Sequence, residues 1–103
     1  MVLTRRVIRQ LVDYFDILAL EYGAVDCSDA DSENGDWFLF RFPNEVGVDD
    51  VKMSFTAPRF AIALAADFAR QTGFELSMWR KGDDIPARPA KRRFGFQASD
   101  CQN

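Results

Sequence analysis

The side chains best suited to chemistry in this chain are carboxylates, and they gather in one stretch. Asp26, Asp29, Asp31, Glu33 and Asp36 fall within eleven residues, a density that first suggests a cation site. Counted from Asp29, oxygen ligands stand at the first, third and fifth positions, as in a calcium-binding loop. The same frame puts Asn34 where the sharp turn needs glycine and Phe40 where the bidentate glutamate must sit. The pattern fails at both diagnostic positions, so no metal and no other cofactor is expected. The run reads as a solvated loop, or as an acidic patch that meets a basic surface or mimics a nucleic-acid backbone.

Catalytic groups are no better supplied. The chain has no histidine, the one side chain that titrates near neutral pH without help. Cys27 sits among carboxylates, which raise a thiol's pKa instead of activating it. No serine lies in a Gly-x-Ser-x-Gly elbow, and there is neither a phosphate-binding glycine loop nor a dinucleotide fingerprint. An enzyme is not expected.

Two further groupings concern binding. Arg88, Lys91, Arg92 and Arg93 run into Phe94 and Phe96, and cations interleaved with aromatics suit phosphate contact and base stacking. The same residues also suit a short edge strand with solvated flanks. The other grouping is Trp37, Leu39 and Arg41, which alternate with phenylalanines, together with Trp79 and Arg80 near a later strand. Tryptophan and arginine are the residues most enriched at binding hot spots.

The elements that position these residues follow from periodicity. Apolar residues at Ile8, Leu11, Val12, Phe15, Leu18, Ala19 and Tyr22 recur at steps of three and four, predicting a helix capped by Thr4 and ended by Gly23. An acidic connection follows, in which Val25–Cys27 can form a short strand and Asn34-Gly35 a tight turn. Residues 37–42 alternate strictly, with Phe38, Phe40 and Phe42 on one face and Trp37, Leu39 and Arg41 on the other. Val51–Phe55 pairs with that strand as a hairpin. Pro58 opens a second helix with Thr56 as its expected cap, running to Thr72 and Gly73. Residues 74–80 form a last strand. The expected fold is an α+β two-layer sandwich of order α-β-β-α-β, a small antiparallel sheet with both helices on one face. Its expected core comprises Phe15, Phe38, Phe40, Phe42, Val51, Met53, Phe55, Leu64, Phe68 and Leu76.

At 103 residues one domain is expected: residues 1–82 as the α/β core and 83–103 as a basic, proline-containing tail docked on it. The net charge of −3 conceals a division. Residues 1–51 carry 11 acids against 4 bases, whereas residues 52–103 carry 9 bases against 5 acids. A general nucleic-acid binder is normally basic throughout. No apolar run is long enough to span a bilayer, and the N-terminus does not read as a signal peptide. A cytoplasmic protein is expected, with Cys27 and Cys101 as free thiols. Ten arginines against three lysines lean towards a GC-rich bacterial or phage genome.

These features point to a small protein-binding module, a bacterial or phage regulator or inhibitor directed at a host-defence or nucleic-acid-processing complex. Its partner surface is expected at Trp37, Leu39, Arg41, Trp79 and Arg80, with Asp29, Asp31 and Glu33 steering a basic partner; the competing reading has Phe94 and Phe96 of the tail fold back and cover Trp37, Leu39 and Trp79. A homo-oligomer is left open. The alternative is a nucleic-acid-contacting accessory protein that uses Arg88, Lys91, Arg92, Arg93, Phe94 and Phe96. A small enzyme working without histidine ranks third.

Overall fold

The computed structural model describes residues 3–27 and 36–87. The first helix, α1, spans Arg5–Glu21, and the Val7 N–H donates to the Thr4 hydroxyl at its start. It ends where Gly23 turns left-handed at φ 77°, which lets the Ala24 N–H reach back to the Ala19 carbonyl at 2.9 Å. The second helix, α2, spans Pro58–Thr72 and ends at Gly73 with φ 81°. Its cap position falls on Ala57, which makes no side-chain bond. The expected Thr56 cap stands one residue too early. Proline fixes the first helical residue, so the residue before it takes the extended conformation of the cap.

Four strands form one antiparallel sheet: β1 (Val25–Asp26), β2 (Phe38–Arg41), β3 (Val51–Ser54) and β4 (Ser77–Arg80). Their spatial order is β1-β3-β2-β4. The α+β architecture matches expectation, and the short strand after α1 makes the element order α-β-β-β-α-β. The last strand is shorter than the 74–80 alternation suggests. The turn out of α2 occupies Phe74, whose N–H donates to the Thr72 hydroxyl at 3.1 Å while that hydroxyl donates to the Phe68 carbonyl at 2.6 Å.

Cross-strand partners share a face in an antiparallel pair, so the register sorts the side chains. Phe38 lies opposite Met53 on one side and Arg80 on the other, and Phe40 lies between Val51 and Met78. These residues form the inner face. Both helices supply side chains to it, with Phe15 from α1 and Phe68 from α2 fully buried. Phe15 meets Phe40 and Phe42 edge-on, with ring centroids 5.6 and 5.3 Å apart, and Phe68 meets Phe42 at 5.7 Å. Of the expected core, Val51, Phe55 and Leu76 are only partly buried against this cluster. Val46, in the loop between β2 and β3, joins it instead at 2% exposure.

The sheet assignment makes a direct prediction. Phe40→Ala removes a ring with no exposed surface and should destabilise the protein by about 3–5 kcal/mol. Trp37→Ala, on the outer face, should cost well under half of that. Denaturant melts of the two variants measure the difference, and equal losses would mean that the faces are assigned wrongly.

Candidate protein-binding face

The outer face of the sheet is built on Leu39. Its cross-strand neighbours are Lys52 in β3 and Trp79 in β4, and Trp37, just before β2, and Arg41, at its end, lie two residues away along the chain. Leu39 was expected as an exposed contact residue; it is only 8% exposed. It nevertheless lies outside the phenylalanine cluster. Four long side chains bracket it, so Leu39 is the floor of this face and the two indole rings stand beside it.

Each indole is paired with a cation. The Lys52 ammonium lies 4.5 Å from the Trp37 ring centroid, and the Arg41 guanidinium carbon lies 4.8 Å from that of Trp79. Arg41 is held on its other side as well. Its Nε donates to both carboxylate oxygens of Asp50 at 3.1 Å, Nη2 donates to Oδ2 at 2.9 Å, and Nη1 donates to the Pro86 carbonyl at 2.9 Å. The side chains of Arg41 and Asp50 are 12% and 21% exposed, so water screens this pair less than a surface one. Arg41 was expected among the residues that contact a partner. Its guanidinium is instead spent on Asp50 and on fixing Trp79. Both tryptophans remain half-buried, with limited rotamer freedom left to lose on association.

Arg80 does not belong to this face. It is the register partner of Phe38 and therefore points to the inner side, where its guanidinium lies 5.6 Å from the Phe38 ring. Alternation along β4 separates it from Trp79, a consequence of the two-residue period that grouping by sequence neighbourhood overlooked. There it pairs with Asp36 at 2.7 Å, and the guanidinium hydrogen bond holds the Asp36 carboxyl below its usual range. Both partners are open to solvent, so the pair adds little to stability.

The free edge of β4 is partly closed. The Lys81 N–H points inward to the Trp37 carbonyl, which turns the Arg80 N–H outward. Asp83 accepts from that N–H at 2.8 Å and returns its own N–H to the Arg80 carbonyl at 2.9 Å. Occupied edge groups discourage strand addition, which favours the face over the edge as a contact surface. Asp83 and Pro86 also tie the start of the expected tail to the sheet. Asp29, Asp31 and Glu33, and the segment holding Arg88, Lys91, Arg92, Arg93, Phe94 and Phe96, lie outside the described residues.

Elsewhere, burial and the neighbouring Asp26 push the Cys27 thiol up, outweighing Lys52. The thiol therefore stays protonated at neutral pH and is a poor nucleophile. Among the described residues no group of three or more Cys, Asp or Glu is placed to hold a metal ion, and no helix is long and apolar enough to cross a membrane. Comparison of the chain with protein-family models, with curated proteins and with solved structures finds no match.

The two arginines of the sheet should behave differently when removed. Arg41→Ala strips Asp50 of a largely shielded partner and Trp79 of its stacked cation, and should cost about 1–3 kcal/mol. Arg80→Ala should leave the thermal midpoint unchanged within error. Calorimetry on both variants checks the ranking, and a larger loss for Arg80→Ala would contradict this account of the face.

Proposed function

We propose that the protein is a protein-binding module that acts by occupying a partner through the Trp37–Leu39–Trp79 face, as a regulator or inhibitor and not as a catalyst. One observation carries this reading. Two tryptophans flank a buried leucine on the sheet face opposite the phenylalanine core, each held by its own cation. A ring that is large, rigid and already ordered gains contact area on binding while losing little conformational entropy. Hot-spot residues of this type account for most of the binding energy of protein interfaces. We place the protein in the cytoplasm, where its two cysteines, Cys27 and Cys101, would stay reduced. The strongly acidic 26–36 connection would speed encounter with a basic partner more than it would add affinity.

The test combines capture with folding. The protein, immobilised, is exposed to a bacterial lysate beside Trp37→Ala and Trp79→Ala variants, and bound proteins and nucleic acids are both identified. The expected result is a discrete protein retained by the parent chain and lost at least about 30-fold in each variant, with thermal midpoints little changed. Capture that survives both substitutions would overturn the reading. So would a sub-micromolar shift of DNA or RNA oligonucleotides that weakens steeply with salt, because steep salt dependence marks phosphate contacts.

A further inference from the structure

The face that holds Trp37 and Trp79 is wider than the two rings. Lys52 and Ser54 are the outward residues of β3, and their partners carry the face onto β1. Val25 lies opposite Ser54. The Cys27 N–H donates to the Lys52 carbonyl at 3.1 Å, so Cys27 continues the cross-strand row of Lys52, Leu39 and Trp79. Val25 is 62% exposed, an apolar side chain at the outer end of the face. Lys52 therefore stands within the face and not at its rim, with Leu39 on one side and the short edge strand on the other.

The cations that hold the two indoles differ in one respect. Arg41 has Asp50 as its counter-ion. Lys52 is half-buried, and its ammonium rests 4.5 Å from the Trp37 ring centroid. Among the described residues the ion pairs join Arg41 to Asp50, Arg70 to Asp67 and Arg80 to Asp36, and none includes Lys52. A cation held partly out of water gains from a paired anion, which a docked partner can supply. Charge also discriminates between occupants. The chain's own segment from Arg88 to Phe96 carries four cations and no acid, so it brings the wrong sign to Lys52. Nucleic-acid bases need an open ring to stack on, and each indole already has a cation over its ring.

We propose that the protein partner seats an aspartate or glutamate carboxylate on Lys52, with apolar side chains beside that acid covering Val25 and the two indoles. The inference rests on the tryptophan face being the binding surface, and it names the chemistry of what binds there. The ammonium would then lie between an indole and a carboxylate, a charge-assisted contact formed where neighbouring side chains exclude water. The partner's acid is local to the contact. A partner acidic throughout would be repelled by the 26–36 connection that runs on from β1.

The experiment is a titration of the isotopically labelled full chain, followed by NMR, with the blocked pentapeptide Phe-Glu-Leu-Glu-Phe as the probe and its glutamine counterpart as the control. The expected result is saturable shifts at both indole N–H groups and at the amides of Val25, Cys27, Leu39 and Lys52, with the glutamine peptide about fivefold weaker. Lys52→Gln should bind both peptides alike, at the level the parent chain shows for the glutamine peptide, and Lys52→Arg should restore the preference. A lysine that merely supported the fold would weaken both peptides equally and leave the preference intact. The inference fails if neither peptide shifts these signals, if the parent chain binds both peptides equally, or if Lys52→Gln keeps the preference for the acid. It fails also if a peptide of residues 88–96, or hexauridylate, binds the same signals more tightly than the acidic probe, which would make the tail or RNA the occupant. The tryptophan face itself is judged separately, by lysate capture with Trp37→Ala and Trp79→Ala, so the two readings can fail independently.

Discussion

Phe40 has no exposed surface, and its neighbours explain the rest of the molecule. Phe15 of α1 meets it edge-on from the helical layer, and Phe55 meets it at 6.0 Å from the end of β3. Two residues along, Phe42 joins Phe15 and Phe68, which links α2 to the same strand. Because side chains in a strand alternate, fixing Phe38, Phe40 and Phe42 inward also fixes Trp37, Leu39 and Arg41 outward. A one-residue slip would expose three phenylalanines and bury a guanidinium. The phenylalanine cluster thus sets the register, and the register creates the outer face.

That outer face is where the physical chemistry is unusual. Leu39 is shielded there by neighbours that are themselves charged or aromatic, while the helices pack against the other side. Lys52 and Arg41 order the indoles without covering them completely, and Asp50 and the Pro86 carbonyl order Arg41 in turn. The arrangement resembles an interface prepared in advance more than a second core.

Much of this was legible in the residues. Thr4, Gly23, Pro58 and Gly73 mark both helices because each acts through its own backbone or hydroxyl and needs no distant partner. The alternation of 37–42 gave the division between Phe and Trp faces for the same reason. What depended on tertiary contacts was not legible. The burial of Val46 in a loop without periodicity and the capture of Arg41 by Asp50 both require residues well apart in sequence to meet. Arg80 was misplaced for a simpler reason: it adjoins Trp79 in sequence and therefore faces the opposite way.

The account rests on the indoles of Trp37 and Trp79 lying at an accessible face and not inside the core. Single-tryptophan variants of the full chain, Trp37→Phe and Trp79→Phe, allow each ring to be followed by emission maximum and acrylamide quenching. Both remaining indoles should emit towards the red and be quenched readily, with a blue shift appearing only when a partner is bound. Blue-shifted emission that resists acrylamide in the free protein would place the rings in a closed interior and contradict the account.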